Sequence, residues 1–412
     1  MPRILVNYPE GRVDLTGHVG FIEKKFVFPS MLQGIYDVLI SIREMVRVII
    51  YNFVKIVPRK EGAWVLSSHG GNDFTGNAKY LYLYLSNNTD DKATYLINDE
   101  EVLKELKENG YSAIAKDSIT AKIKTVRAEN VCITHGSGDI PWWYAGGGNL
   151  LNLWHGVPIK KIGFEPGAMS LKQRFLYKDM IFTIPDGDLS EQRFKNAFNI
   201  DSSQIARTGY PRNEAIISSF EDDHIGSNKQ AYSELSEFLE KYDEKYVYMP
   251  TFRESGSPVD NLPTSQLNQY LEEQNACLVV KSHPKDSGKV DSSYENILQL
   301  EERVDIYPYL SQFELLITDY SSVVFDYMVT NNPIVFYWYD LEEYQLSWGL
   351  FDDFDSITPG EKVNKSMMLT EVMKRSINED AYTDERKNVY DKVCSYPEGS
   401  CCRIYNIQNK DG

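Results

Sequence analysis

Four of the six histidines in this 412-residue chain each follow an apolar run and precede Gly or Pro. They are His69, His135, His155 and His283, in the segments VLSSHGG, VCITHGSG, LNLWHGVP and LVVKSHP. In open parallel sheets, ligands bind beyond the carboxyl ends of the strands, so a histidine there is placed to act as an acid, a base or a hydrogen-bond donor. For His69 and His135 the alternative is structural: the ring caps a loop or bonds a backbone carbonyl.

Two further segments have the composition of a phosphate site. In VKSHPKD, residues 280–286, Lys281 and a second lysine flank His283, a pattern that suits a diphosphate. In ITDYSSVVFDY, residues 317–327, Ser321 and Ser322 stand where a helix should follow a buried strand. Helix N-termini bind phosphate through their free backbone N–H groups, and serine hydroxyls add donors. The alternative for this segment is a plain capped helix.

Four other polar residues occupy comparable places. Thr251 and Arg253 follow another apolar run in MPTFRES, where an arginine could bind a phosphate with two hydrogen bonds. Asp326 lies about one turn into the helix after the two serines, and its carboxylate could accept hydrogen bonds from ligand hydroxyls. Arg212 in TGYPRNE lies at a predicted domain junction, where it is either part of a hinge or a donor contact.

The elements that must position these residues fall into two sets of alternating strands and helices. The first set occupies residues 61–213 and the second residues 214–394, with a Ser/Asp/Glu-rich stretch near the boundary. This rhythm predicts an α/β protein with two parallel-sheet domains that face each other across a cleft.

The segment MLQGIYDVLISIREMVRVIIYNFVKI, residues 31–56, contains too many charges for a membrane span. Its polar positions recur every three or four residues, which predicts an amphipathic helix. The first 60 residues hold nine Lys/Arg and five Asp/Glu, within a chain of net charge −17. A basic amphipathic helix on an acidic protein favours attachment to anionic lipid. The alternative is packing against the protein's own core.

The overall charge argues against nucleic-acid binding, which requires a basic surface. The five cysteines are odd in number and contain no CxxC pair, so we expect neither a disulfide framework nor a zinc site.

Taken together and in order, WHGVPIKKIG, TGYPRNE, PTFRES, the His-Pro pair and ITDYSSVVFDY resemble the CDP-glycerol glycerophosphotransferase family, which includes teichoic-acid primases, polymerases and capsule-building relatives. The segment at 336–360 is similar to a motif near that family's C-terminus, and the resemblance runs from about residue 62 to residue 403. One departure is Lys281, where the family often has arginine.

The resemblance implies a GT-B fold of two Rossmann-like domains, no cofactor and no essential metal. It also implies a last helix, within 395–412, that crosses back to the first domain. The implied reaction moves a polyol phosphate, most readily glycerol phosphate, from a CDP-polyol to a hydroxyl of a lipid-linked saccharide or growing polymer and releases CMP. It places the protein peripherally on the cytoplasmic face of the cell membrane, with residues 1–60 as the membrane-associating segment.

On this basis we expect His155 to be the general base and His283 to assist the leaving phosphate, with domain closure bringing the two together. The expected donor-side residues are Arg212, Thr251, Arg253, Lys281, His283, Ser321, Ser322 and Asp326. The expected acceptor-side residues are His69, His135, Lys160 and Lys161. Three alternatives stay open: a CDP-ribitol or other CDP-polyol enzyme, a nucleotide-sugar glycosyltransferase of the same fold, and a non-catalytic membrane-associated binding protein.

Overall fold

The computed structural model describes residues 5–8, 11–14, 30–163, 176–254, 256–283, 285–300, 303–394 and 398–407. Within these ranges the structure contains two large parallel sheets and a short antiparallel pair, β1 (Leu5–Tyr8) with β2 (Gly11–Asp14). The helices are α1 (Ser30–Val54), α2 (Gly76–Asn88), α3 (Glu100–Glu108), α4 (Ile119–Arg127), α5 (Asp188–Phe198), α6 (Pro211–Ile217), α7 (Lys229–Leu239), α8 (Thr264–Gln274), α9 (Val323–Tyr327), α10 (Leu341–Trp348), α11 (Leu369–Glu379), α12 (Thr383–Val393) and α13 (Ser400–Ile407).

The first sheet is parallel throughout and has the order β5-β4-β3-β6-β7-β8-β9. The interior strand β3 ends in Trp64, Val65 and Leu66, all buried, as expected of a strand covered by helices on both faces. The strands are β3 (Lys60–Leu66), β4 (Lys92–Leu96), β5 (Ala113–Ile114), β6 (Ala128–Ile133), β7 (Asn149–Asn152), β8 (Met180–Ile184) and β9 (Ile205–Arg207).

The second sheet is also parallel and has the order β12-β11-β10-β13-β14-β15. Its strands are β10 (Glu244–Met249), β11 (Ala276–Val280), β12 (Ile297–Gln299), β13 (Leu315–Thr318), β14 (Ile334–Tyr337) and β15 (Glu361–Val363). The two sheets confirm the expectation of two parallel-sheet domains.

The chain crosses between the domains at more than one place. Val157 and Ile159, just after β7, pack in the apolar core of the second domain. At the other end, Cys401 and Ile404 of α13 pack in the core of the first domain. A buried ion pair between Lys79 of α2 and Asp305 (2.9 Å) also joins the two domains. The interface therefore contains both apolar and charged groups removed from solvent.

Helix α1 uses its two faces differently. Tyr51 is buried in the first domain's core against Trp142, and its hydroxyl donates a hydrogen bond to Asp179 (3.2 Å). The opposite face stays exposed along an apolar stripe of Ile42, Met45, Val46, Ile49 and Phe53, followed by Ile56. The helix thus packs on the protein's own core and also presents an uncovered apolar surface. No helix among the described residues has the length and hydropathy needed to cross a bilayer.

Candidate functional site

Three histidines from neighbouring strands form a stack at the carboxyl edge of the first sheet. His69, His135 and His155 follow β3, β6 and β7, which are adjacent in the sheet order. The ring centroids of His69 and His135 are 3.7 Å apart, and those of His135 and His155 are 4.0 Å apart with the rings nearly parallel. Strand order thus brings together three residues that are separated by up to 86 positions in the sequence.

A buried carboxylate holds two of these loops. Asp139, which is 1% exposed, accepts backbone hydrogen bonds from Gly70, Thr134 and His135, each at 2.8 Å. Lys116 reinforces the arrangement because its ammonium donates to the carbonyl groups of Gly70 and Gly138. Our sequence analysis missed Asp139. The only signal for it was an aspartate four residues after a strand-end histidine.

The tautomer of His155 follows from one hydrogen bond. Its Nδ1 lies 3.0 Å from the carbonyl oxygen of Thr134, and a carbonyl only accepts, so Nδ1 carries the proton. Nε2 is then left with its lone pair. Part of the His155 residue stays accessible to solvent. Its ring is surrounded by other protein groups, and this burial is the main reason that the pKa of His155 falls to about 4. His155 is therefore neutral near pH 7 with a basic nitrogen in the cleft.

The backbone around His155 is fixed from both sides. Trp154 adopts a left-handed conformation (φ 47°), and Asn77 of α2 donates hydrogen bonds to the carbonyls of Leu153 (2.9 Å) and Trp154 (3.0 Å). Gly156 has φ 142°, and a Cβ added there would lie 2.7 Å from Oγ of Ser322 in the second domain. A glycine is required because the backbone of one domain lies against a side chain of the other.

The second domain presents its residues in a similar way. Thr251, His283 and Ser321 follow β10, β11 and β13, which are neighbours in the second sheet. Nδ1 of His283 accepts a hydrogen bond from the backbone N–H of Lys285 (3.2 Å), so the proton of the neutral ring is on Nε2. Burial lowers the pKa of His283, and the positive charge of Lys285 acts in the same direction. His283 therefore has the tautomer opposite to that of His155 and can donate a hydrogen bond from Nε2.

Arg253 and Thr251 are held by carboxylates of their own domain. The Arg253 guanidinium pairs with Asp340 (2.6 and 3.0 Å) and with Asp319 (2.9 Å), and Asp319 also accepts the backbone N–H of Thr251 (2.9 Å). Arg253 is 8% exposed and Asp319 is fully covered. The arginine thus neutralises two carboxylates beneath the cleft, and its role as a phosphate ligand stays a prediction.

Arg212 and Asp326, both expected on the donor side, bind each other across the domain boundary. Their side chains form a buried ion pair at 2.5 Å, and Tyr307 donates a second hydrogen bond to the same carboxylate (2.9 Å). Arg212 also donates to the carbonyl of His155 (2.8 Å). Burial raises the pKa of Asp326, and Arg212 opposes that shift. This pair connects the His155 loop of the first domain to α9 of the second, and donor binding by either residue stays a prediction.

The remaining predicted residues lie close to these groups. Ser322 is the residue before α9, but its hydroxyl makes no capping hydrogen bond, whereas Oγ of Ser321 accepts a long one from the Val323 N–H (3.4 Å). Lys281 is partly buried directly after β11. Lys161 forms an exposed ion pair with Asp352 (3.6 Å).

Lys160 takes a place that the sequence did not suggest. Its ammonium lies over the rings of Tyr344 (4.9 Å) and Trp348 (5.3 Å) of α10, in the second domain. The described residues include no cluster of three or more His, Cys, Asp or Glu side chains arranged to hold a metal ion.

Comparison with known proteins gives a consistent result. A sequence model of the family described as "CDP-Glycerol:Poly(glycerophosphate) glycerophosphotransferase" matches residues 49–407. The chain is 26% identical to the teichoic acid glycerol-phosphate transferase of Staphylococcus aureus, over 87% of this chain and 96% of the relative. It is 29% identical to the teichoic acid ribitol-phosphate primase of Bacillus spizizenii, over 51% of this chain and 56% of the relative.

Among solved structures, the H444N variant of the wall teichoic acid polymerase TagF superimposes with a TM-score of 0.70 at 18% identity. The superposition covers 92% of this chain and 98% of that one. At that identity the likeness shows the fold, and it supports the expected GT-B type.

Proposed function

The chain belongs to the CDP-glycerol:poly(glycerophosphate) glycerophosphotransferase family, and from that premise we propose that it transfers glycerol phosphate from CDP-glycerol to a hydroxyl of a lipid-linked saccharide or growing polymer. In this reaction the acceptor oxygen bonds to the β-phosphorus. The bond from that phosphorus to the bridging oxygen breaks, and CMP leaves. The reaction needs a base for the hydroxyl proton and groups that stabilise charge on the leaving phosphate.

The observation that supports this proposal most directly is the pair of opposite histidine tautomers. Neutral His155 has a free lone pair on Nε2 because Nδ1–H is bound to the Thr134 carbonyl. It takes the proton of the acceptor hydroxyl. Neutral His283 carries its proton on Nε2 because Nδ1 accepts the Lys285 N–H. It donates a hydrogen bond to the oxygen of the departing CMP. The two rings belong to different domains, so the donor and the acceptor meet between them.

The other predicted residues surround the two histidines on the donor side and on the acceptor side. Ser321, Ser322 and Lys281 offer hydroxyl and ammonium donors at the same sheet edge as His283. We propose a donor role for four further residues, which belong to two networks. Thr251 and Arg253 bind Asp319 and fix the floor of the donor domain. Arg212 and Asp326 pair with each other and link α9 to the His155 loop. His69 and His135 line the acceptor side and stack on the base.

We also propose that the protein binds anionic membrane peripherally through the apolar stripe of α1. Phe53 is 68% exposed and Ile49 is 59% exposed, while Ile119 at the start of α4 is 73% exposed. Arg43 on α1 and Lys55 directly after it are each partly exposed; they form ion pairs at the surface with Glu44 (3.2 Å) and Asp179 (3.2 Å). A lipid surface would cover the apolar side chains and would present a lipid-linked acceptor close to the first domain.

A donor screen tests the reaction. Purified protein is incubated with CDP-glycerol, CDP-ribitol or a UDP-sugar, together with a lipid-linked saccharide, and nucleotide release and product mass are measured. We expect CMP and a product heavier by one glycerol phosphate per addition, and we expect both to be lost in His155→Ala. Release from CDP-ribitol alone would retain the mechanism and change the polyol. UDP release from a sugar donor would refute the proposal, and CMP release by His155→Ala would refute the assignment of the base.

Sedimentation with lipid vesicles tests the membrane surface. Vesicles containing phosphatidylglycerol should bind the wild-type protein and bind Phe53→Ser markedly less. Leu346→Ser provides the matched control, because Leu346 is equally apolar and 90% exposed but lies on the second domain. Equal loss in the two variants would contradict a specific role for α1.

A further inference from the structure

The segment that follows the base leaves the first domain and enters the second. Val157 and Ile159 are buried in the second domain's core, and Lys160 forms a backbone bridge with Leu350. The backbone N–H of Lys161 donates to the carbonyl of Gly349 (3.0 Å). The position of Lys160 is therefore set by the donor domain, although it follows His155 by only five residues.

The Lys160 ammonium lies in a recess with aromatic walls. The ring centres of Tyr344 and Trp348 are 4.9 and 5.3 Å from Nζ, and the side chain is partly buried. Within the described part of the chain, no carboxylate lies within ion-pair distance of this Nζ and no acceptor bonds to it. The next lysine differs, because Lys161 is exposed and pairs with Asp352.

The charged groups nearest to Lys160 already have partners or carry the same sign. Asp319 attracts it, but its oxygens accept hydrogen bonds from Thr251, Arg253 and the Tyr320 backbone. Arg253 repels Lys160, and Lys160 in turn disfavours the charged form of His283. Burial accordingly lowers the pKa of Lys160 to about 8. An ammonium that is partly withdrawn from water and bonds to no acceptor among the described residues carries a desolvation cost, and an anion in the cleft would offset that cost.

We propose that Lys160 binds a diphosphate oxygen of the nucleotide donor and so joins the donor site rather than the acceptor site. This inference rests on the proposed function, since it takes a cytidine diphosphate compound as the ligand. It differs from the sequence-based expectation that both lysines face the acceptor. It also connects the donor side of the site to the acceptor side. Lys160, which binds the donor's diphosphate, is separated by only four residues, 156–159, from His155, the base that activates the acceptor.

Binding measurements without any acceptor test the proposal. Isothermal titration with CDP-glycerol, CDP and cytidine is carried out on the wild type, Lys160→Met, Lys160→Arg and Lys161→Met. We expect Lys160→Met to weaken CDP-glycerol and CDP about 10- to 100-fold, as for the loss of a charge-assisted hydrogen bond, and to leave cytidine unchanged. Lys160→Arg should retain part of the affinity. Lys161→Met serves as the matched control and should keep the donor affinity of the wild type.

Two outcomes would overturn the assignment. One is wild-type affinity for CDP in Lys160→Met. The other is an equal loss for cytidine and CDP, which would indicate that the recess had merely been distorted. The proposed function can fail separately: the wild type would bind CDP in a Lys160-dependent manner yet transfer no glycerol phosphate. Conversely, if the wild type transfers glycerol phosphate and Lys160→Met binds CDP with unchanged affinity, only the inference about Lys160 is refuted.

Discussion

The contact between Gly156 and Ser322 can be used to measure how closely the two domains pack beside His155. A Cβ at position 156 would lie 2.7 Å from Ser322 Oγ and 3.1 Å from Nη2 of Arg212. The backbone there has φ 142°, which an L-residue adopts only with strain of about 1–3 kcal/mol. Overpacking in a close contact adds about 1–3 kcal/mol. We therefore expect Gly156→Ala to lower the free energy of unfolding by about 2–6 kcal/mol.

Gly136 provides the matched control, because it follows His135 as Gly156 follows His155. It has a similar φ of 136°, but an added Cβ would meet nothing within 4 Å. Gly136→Ala should therefore lose only the strain contribution, about 1–3 kcal/mol. The difference between the two variants, measured by urea unfolding followed by circular dichroism, isolates the contact between the domains.

A double variant identifies the atom responsible. Ser322→Ala removes Oγ and leaves Cβ of residue 322 at 3.4 Å from the new methyl group, an ordinary contact distance. Gly156→Ala combined with Ser322→Ala should thus recover much of the contact contribution to the free energy of unfolding. If Gly156→Ala and Gly136→Ala lose equal stability, or if Ser322→Ala recovers nothing, the domains do not meet at this point as described.

Three further outcomes follow from buried or crowded polar groups. Asp139→Ala should lower the free energy of unfolding by about 3–5 kcal/mol, since three backbone N–H groups lose their acceptor; a loss below 1 kcal/mol in urea unfolding would show that water replaces the carboxylate. Lys79→Met leaves Asp305 buried without its cation and should cost about 3–5 kcal/mol, whereas the double variant with Asp305→Leu should recover most of it. Because the pKa of His155 is lower in the folded protein, its imidazole takes up a proton in the unfolded chain at a higher pH than in the folded protein. The contribution of neutral His155 to stability is therefore present above about pH 6.5 and is lost as the pH falls toward 4. His155→Gln should flatten the stability profile across that window, and an unchanged profile would contradict the shift.

The sequence alone was sufficient to predict those features that depend only on neighbouring positions in the chain. Apolar runs that end in histidine predicted strand ends, because strand burial and the turn that follows are written within a few positions. His69, His135, His155 and His283 all stand just beyond the strands, as expected. The order of motifs identified the family, because each motif is contiguous. The apolar stripe of α1 could likewise be recognised from its helical spacing.

Only the tertiary structure decided which of these residues meet. The order β5-β4-β3-β6-β7 makes neighbours of three histidine loops, and no local pattern specifies strand order. Asp139 could not be recognised from the sequence because its partners are backbone N–H groups, which every residue except proline has. From the sequence we expected Arg212 and Arg253 to contact the donor, and the fold places carboxylates against both. Lys160 and Lys161 are adjacent and chemically alike, yet one turns into an aromatic recess and the other toward solvent. Such differences arise from packing between distant segments, where burial decides whether a charge must find a partner in the protein or in a ligand.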